Sequence, residues 1–294
     1  MFAKNRDRLI EHEAVETFFA EVMALAELAD KRGRLSREHF SVDGTLVRVW
    51  ANPKSVRPKD DRGGGQRPPG RNAVSDWRGR PRSHDTPAST TDPDARLFRK
   101  SPNTAAILCD QGHALIVNRY GLVVGAVVTR AGGGAEREAA WAMMRTMPRT
   151  RHRTLAADKA YDTAAVVPSC RLARVTPHVA RNEMRRGGRA IDARPSRHPG
   201  YEVSRRIRKR IDEHVGWAKT VGRRRRNVFR GPHRVDLPFK LTMLASNIVR
   251  MSRMPAVVSC NVSTGYCGGS FGPDLRDWKL PTSQFPRDRP NEPP

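Results

Sequence analysis

Apolar residues recur with a helical rhythm over residues 6–32, at Leu9, Ile10, Val15, Phe18, Phe19, Val22, Met23, Leu25, Ala26 and Leu28, which predicts one amphipathic helix or two short ones. The rhythm becomes an alternation in HFSVDGTLVRVWA, residues 39–51. There Phe40, Val42, Leu46 or Val47, and Val49 mark a strand with Asp43 inside it. Two further β-rich runs, HALIVN and GLVVGAVVTR, are joined by NRYG and read as a hairpin that turns at Asn118 or Gly121 and pairs with the first strand. A glycine break followed by Ala, Glu and Met predicts a helix over 133–147. The short apolar run RTLAAD delivers Asp158 at the C-terminal end of a buried strand, and ARVTPHVA, 173–180, is another strand. The helical period returns over 201–222, with Val203, Ile207, Ile211, Val215 and Ala218 on one side, and again over 237–252. Strands first, then a helix, further strands and final helices give a mixed α/β domain with helices on both sides of one sheet.

Between these elements the pattern fades. Residues 52–103 are rich in Gly, Pro, Arg and Asp and read as a long basic loop or insert, unusual in length for a compact domain. Residues 181–200 form a basic loop with six Arg, and the tail from about Met254 has the composition of a disordered segment. The expected organisation is a helical segment over 1–36, a catalytic-type domain over 37–252 and a tail over 253–294.

Charge changes the picture more than composition does. The 294 residues carry 55 Lys and Arg against 30 Asp and Glu, a formal net charge of +25, which favours a polyanionic partner, most commonly nucleic acid. Cys109, Cys170, Cys260 and Cys267 form no C-x-x-C pair and read as reduced thiols. The N-terminus is interrupted by charges throughout, and no window reaches the length of a membrane span, so no membrane partner is expected and the protein reads as cytoplasmic.

A carboxylate inside or at the end of a strand is costly unless it is paired, hydrogen-bonded or bound to a cation, and this singles out Asp43 and Asp158. The bland alternative is that Asp43, in the turn-like Asp-Gly-Thr, caps a bulge and that Asp158 pairs with Lys159 at the surface. The blocks HFSVDGTLVRVWANPKS, STTDPDARLFRK, NRYGLVVGAVVTRAGGGAEREAA, ADKAYDT, VTPHVARN and HPGYEVSRRIRKRIDEHVGWAKTVG resemble, in order, those of bacterial insertion-sequence transposases of the DDE class, in the IS-five branch of the IS-four superfamily. The resemblance runs from about residue 2 to about residue 252. It implies an RNase H-like mixed sheet flanked by helices, strand cleavage at transposon ends and strand transfer into target DNA. It further implies Mg2+ or Mn2+ held by Asp43, Asp158 and a third acid, DNA as partner with room for a homo-oligomer on it, and a nucleoid-associated location in a bacterial cytoplasm.

That third acid should lie in RKRIDEHVGWAK, where the superfamily places Arg, three residues, Glu, six residues and Lys. The spacing falls on Arg208, Asp212 and Lys219, with Glu213 one residue out of register as the alternative. At about 100° per residue, Arg208, Asp212 and Lys219 span about 40° of arc on one helix, whereas Glu213 is swung about a further 100° round. Arg208 and Lys219 are candidates for orienting the carboxylate and holding DNA phosphates, and Arg205, Arg206, Arg210 and Arg223, Arg224, Arg225, Arg226 for contacting the DNA backbone. The family has Glu where this chain has Asp212, and the chain begins at a point that resembles an internal segment of longer relatives. Two readings stay open: an active transposase, or a truncated, catalytically weak DNA-binding remnant that occupies transposon ends.

Overall fold

In the alternating stretch every second side chain is apolar and can enter a core, and it forms β1 (His39–Arg48). The structure is a computed structural model that describes residues 2–29, 38–58, 87–101, 103–147, 149–150, 152–183 and 190–254. The chain divides into two units, Met1–Ser252 and Arg253–Pro294, and every described helix and strand lies in the first. Residues 255–294 of the expected disordered tail and the middle of the 52–103 insert, residues 59–86, lie outside the described residues.

The long hairpin is β5 (Ile107–Val117) and β6 (Val123–Arg130). β5 runs antiparallel to β1 over Phe40↔Val117 to Arg48↔Cys109, and β6 pairs with β5 rather than with β1. Gly121, not Asn118, takes the left-handed turn position, with φ 69°, and its N–H donates to the Val117 carbonyl at 2.8 Å. β7 (Arg153–Ala157) lies parallel to β1 on its other edge, and β8 (Val175–Val179) lies parallel to β7. The result is the RNase H-like mixed sheet: an antiparallel β6-β5-β1 half joined to a parallel β1-β7-β8 half.

Each face of this sheet buries an apolar layer. Phe40, Val42, Leu115, Val117, Leu155, Val175 and Val179 pack with Met143 and Met144 of α3 (Ala135–Thr146) and Cys170 of α4 (Val166–Leu172). On the opposite face Val47, Ala114, Ile116, Val123 and Val128 meet Ile211, Ala218, Phe239 and Met243 from the last helices. The N-terminal periodic stretch is two helices, α1 (Phe2–Glu11) and α2 (Ala14–Ala29), parted at Glu13 with φ 47°. α2 docks on the final helix, where Lys240 Nζ meets Glu16 Oε1 at 2.6 Å.

Four stretches of the chain depart from the sequence expectation. The insert holds three short strands: β2 (Val56–Pro58) pairs with β3 (Pro87–Ser89), and β4 (Arg96–Phe98) joins the outer edge of β5. α4 forms despite Pro168, because its first turn needs no N–H from that residue. Over 190–222 the chain forms a short α5 (Ala193–Ser196), then α6 (Pro199–Ile207) and α7 (Arg210–Thr220), rather than a loop and a single helix. The last helix, α8 (Pro232–Ser252), starts five residues before the predicted 237 and carries Pro238 inside it.

Candidate active site

The parallel β1–β7 ladder ends at Ser41↔Ala156, and two residues further along the same register stand Asp43 and Asp158. The fold thus brings the two acids together where the strands part. Asp43 itself sits in an unbroken ladder opposite Ala114, so no bulge explains it. Its Oδ1 accepts the Gly44 N–H at 2.7 Å, and its Oδ2 accepts from Arg208 Nη1 at 2.8 Å, both side chains being largely buried. Burial pushes the Asp43 carboxyl above the usual aspartate range; Gly44 and Arg208 pull the other way, and the charge of Asp158 pushes with burial. Asp158 caps a 3-10 turn, its Oδ1 accepting the Ala160 N–H at 2.8 Å.

A third carboxylate arrives from α3. Glu136 is in the first turn after Gly132, Gly133 and Gly134, and its Oε1 lies 2.7 Å from where a Cβ on Gly44 would stand. Gln111, buried in β5, accepts the Gly132 N–H at 3.0 Å and donates to Glu136 Oε1 at 3.5 Å. The Tyr161 hydroxyl donates to the Glu136 carbonyl at 3.3 Å, tying α3 to the turn that Asp158 caps. Burial raises the Glu136 carboxyl above its ordinary range, and the charges of Asp158 and Asp43 raise it further. The sequence reading missed Glu136, since an acid in a first helical turn ordinarily needs no explanation beyond the helix dipole. Gly44, directly after Asp43, leaves the space that Glu136 enters, but only the fold shows that the two meet.

The residues expected on the late helix take different places. Arg208 reaches Asp43, but it stands at the junction of α6 and α7 rather than inside one helix. The N–H groups of Ile211 and Asp212 bond three residues back, to Arg208 and Lys209, so the turn is tightened. Such a turn advances about 120° per residue instead of 100°, which carries Asp212 further round from Arg208 than a regular helix does. Asp212 is exposed in the first turn of α7, and among the described residues nothing pairs with its carboxylate. Glu213 turns to α8, where its Oε2 meets Arg250 Nη1 at 2.6 Å. Neither Asp212 nor Glu213 makes a described contact with Asp43 or Asp158.

Cations rim the acids. The charge of Lys100 acts on both Asp43 and Glu136, and Lys219 of α7 lies within reach of Lys100 and Arg225, burial lowering its pKa first and those charges further. Lys100 was not singled out in the sequence. Of the remaining arginines, Arg206, Arg223 and Arg225 are exposed, while Arg205 pairs with Glu202 at 3.5 Å. Arg210 is occupied structurally, donating to the carbonyls of Asn118 and Arg119 at 2.9 and 2.6 Å. Arg226 stacks over Trp50 at 5.3 Å, and the half-buried Arg224 keeps an unpartnered Nε. The thiols of Cys109 and Cys170 are free and buried, their pKa values raised to about 12 and about 11 by burial.

The oxygen donors of Asp43, Asp158 and Glu136 are the hard, anionic type that Mg2+ and Mn2+ take. Among the described residues no three His, Cys, Asp or Glu side chains are arranged to enclose an ion as they stand, so the donor chemistry fits such a cation while a closed cage does not exist. No described helix is long and apolar enough to cross a membrane.

Three solved structures resemble the chain weakly. The simian T-cell lymphotropic virus intasome in complex with PP2A regulatory subunit B56 gamma shares 10% identity over 78% of this chain and 52% of that one, with a TM-score of 0.30. The Mos1 strand transfer complex shares 12% over 79% and 57%, TM-score 0.29, and a pre-cleavage Mos1 transpososome 9% over 84% and 61%, TM-score 0.28. The chain spans about half to three-fifths of their length. No curated protein matches the sequence. The transposase DDE domain, in contrast, matches residues 34–248, a span that takes in the whole mixed sheet together with Asp43, Asp158 and Asp212, and this chain belongs to the DDE transposase domain family.

Proposed function

We propose that this chain is a metal-dependent DNA transposase of the bacterial IS-five branch, cutting at the ends of an insertion sequence and joining them to target DNA in the cytoplasm. The observation that carries the reading is the meeting of Asp43 and Asp158 at the parting of β1 and β7 in a DDE-family domain. Asp43 and Asp158 would hold Mg2+ or Mn2+, with Asp212 as the third acid of the family pattern and Glu213 as its alternative. When bound, such ions stabilise the attacking and leaving oxygens of an in-line phosphoryl displacement.

The chain's own groups account for the rest. Arg208 fixes the Asp43 carboxylate and neutralises it in the absence of a cation. Lys100 and Lys219 supply positive charge beside the acids, suited to a scissile phosphate and its neighbours. Arg206, Arg223 and Arg225 are free to meet the DNA backbone, a contact that positions without reading sequence. The net charge of +25 supports DNA as the partner, and a homo-oligomer on DNA follows as part of the same proposal.

The exposed Asp212 carboxylate favours a second reading, a DNA-binding remnant with weak catalysis. One assay separates the two: nicking, in Mg2+, of DNA that carries the sequences flanking the gene. The transposase reading expects nicking that Asp43→Ala abolishes and Asp212→Glu raises. Binding without nicking in every variant supports the remnant, and equal nicking of DNA without terminal repeats points to a general nuclease.

A further inference from the structure

We infer that Glu136 is a metal-holding carboxylate of the Asp43–Asp158 site. The inference rests on the metal-dependent reading above and adds a residue that the late-helix motif does not supply. Three features fix the start of α3 and its Glu136 carboxylate over β1 at Gly44, the residue after Asp43. The buried Gln111 amide accepts the Gly132 N–H at 3.0 Å and reaches Glu136 Oε1 at 3.5 Å, a long contact, so one side chain links the glycine loop to the carboxylate. Gly44 leaves the space that the carboxylate enters, since any Cβ there would lie 2.7 Å from Oε1. Tyr161 bonds the Glu136 carbonyl and links the start of α3 to the turn capped by Asp158.

This placement is unfavourable without a cation. Glu136 is half-buried, no described cation forms an ion pair with it, and it faces two further carboxylates of the same sign. Asp43 has Arg208 as a counterion, whereas among the described residues the cations that act on Glu136 are Lys100 and Arg137, neither in an ion pair with it. A divalent cation held by these carboxylates would remove that repulsion. Asp212 is exposed beyond a tightened turn, whereas Glu136 Oε1 already lies against Gly44, the residue after Asp43, so the smaller rearrangement brings Glu136 to the ion.

The test uses the full chain without DNA and reads Mn2+ binding by calorimetry, together with melting temperature in chelator and in Mn2+. Glu136→Gln is expected to weaken Mn2+ binding by about tenfold or more, as Asp43→Asn does, because charge count and ligand number set affinity for such ions. In chelator, Glu136→Gln melts higher than the parent, since a like charge leaves the cluster; a carboxylate serving only the helix dipole would make the variant melt lower. Glu136→Asp keeps the charge and the fold but withdraws the carboxylate by one methylene, and its Mn2+ affinity falls between the two. If Asp43→Asn loses Mn2+ while Glu136→Gln binds it as the parent does, the role of Glu136 is overturned and the metal reading stands. If Asp43→Asn also binds as the parent does, both are overturned.

Discussion

Asp110 lies on β5 facing away from solvent, 0% exposed, and neither of its carboxylate oxygens has a hydrogen-bond partner. Asp92, equally buried, keeps one oxygen unpartnered, and its charge together with that of Asp94 acts on Asp110; burial is the larger cause, and Arg130 opposes both. The Asp110 pKa is raised to about 7. The folded chain therefore prefers the protonated acid: its stabilising share is full below the ordinary aspartate value of about 3.9 and is lost as pH rises through about 7. The interval corresponds to about 4 kcal/mol at most between the two limits, on the order of 2–4 kcal/mol once local relaxation is allowed for. Asp110→Asn replaces the ionisable acid with a permanently neutral group of the same shape. It is expected to leave stability nearly unchanged at pH 4 and to raise it at pH 8 by about 2–4 kcal/mol, roughly 5–12 °C in melting temperature for a domain of this size. Thermal melts of parent and variant across pH 4–8 measure the difference directly. An equal shift at both ends of the range, or a variant less stable than the parent at pH 8, would refute the assignment of a buried, partnerless acid.

Two further substitutions probe the packing that supports the site. Asn247 of α8 accepts the Val123 N–H at 2.8 Å and donates to the Val123 carbonyl at 2.7 Å, so Asn247→Ala strands two buried backbone groups and is expected to cost about 2–4 kcal/mol in denaturant unfolding. Gly112 faces the Phe239 ring, where an added Cβ would stand 2.7 Å from two ring carbons. Gly112→Ala should destabilise by about 1–3 kcal/mol, and pairing it with Phe239→Leu should recover part of the loss in the same unfolding measurement.

The parts of the fold that were legible in the sequence are those whose apolar residues recur at a regular period. β1 alternates over Phe40 and Val42, which enter the layer under α3, with Ser41 and Asp43 on the other side, and the apolar run of β5 is continuous because both its faces are covered. The elements that were missed lack such a pattern. β4 is three half-buried residues at the end of a Gly- and Pro-rich stretch, and its pairing with β5 is a long-range event that local composition does not encode. The division of α6 from α7 has no proline or glycine at the break; it follows from two backbone bonds that span three residues instead of four. Pro238 reads as a helix breaker, yet it is accommodated near the start of α8.

The same logic divides the site. Asp43 and Asp158 were legible because acids in or at the end of apolar strands demand a reason. Glu136 was not, because its significance depends on β1 and α3 meeting, and Gly44 marks that meeting only once the fold is known. The helical-wheel placement of Asp212 beside Arg208 assumed an unbroken helix, and the tightened turn between them changes the angle.

The central claim is that Asp43 and Asp158 support cleavage and joining of specific DNA ends. The most direct measurement incubates the full chain in Mg2+ with a labelled fragment bearing the terminal repeats and an unlabelled plasmid, and follows label joined to the plasmid. Joined product that requires the repeats and disappears with chelator, Asp43→Ala or Asp158→Ala is the predicted result. Joining that persists in Asp158→Ala, or cleavage indifferent to the repeats, would contradict it.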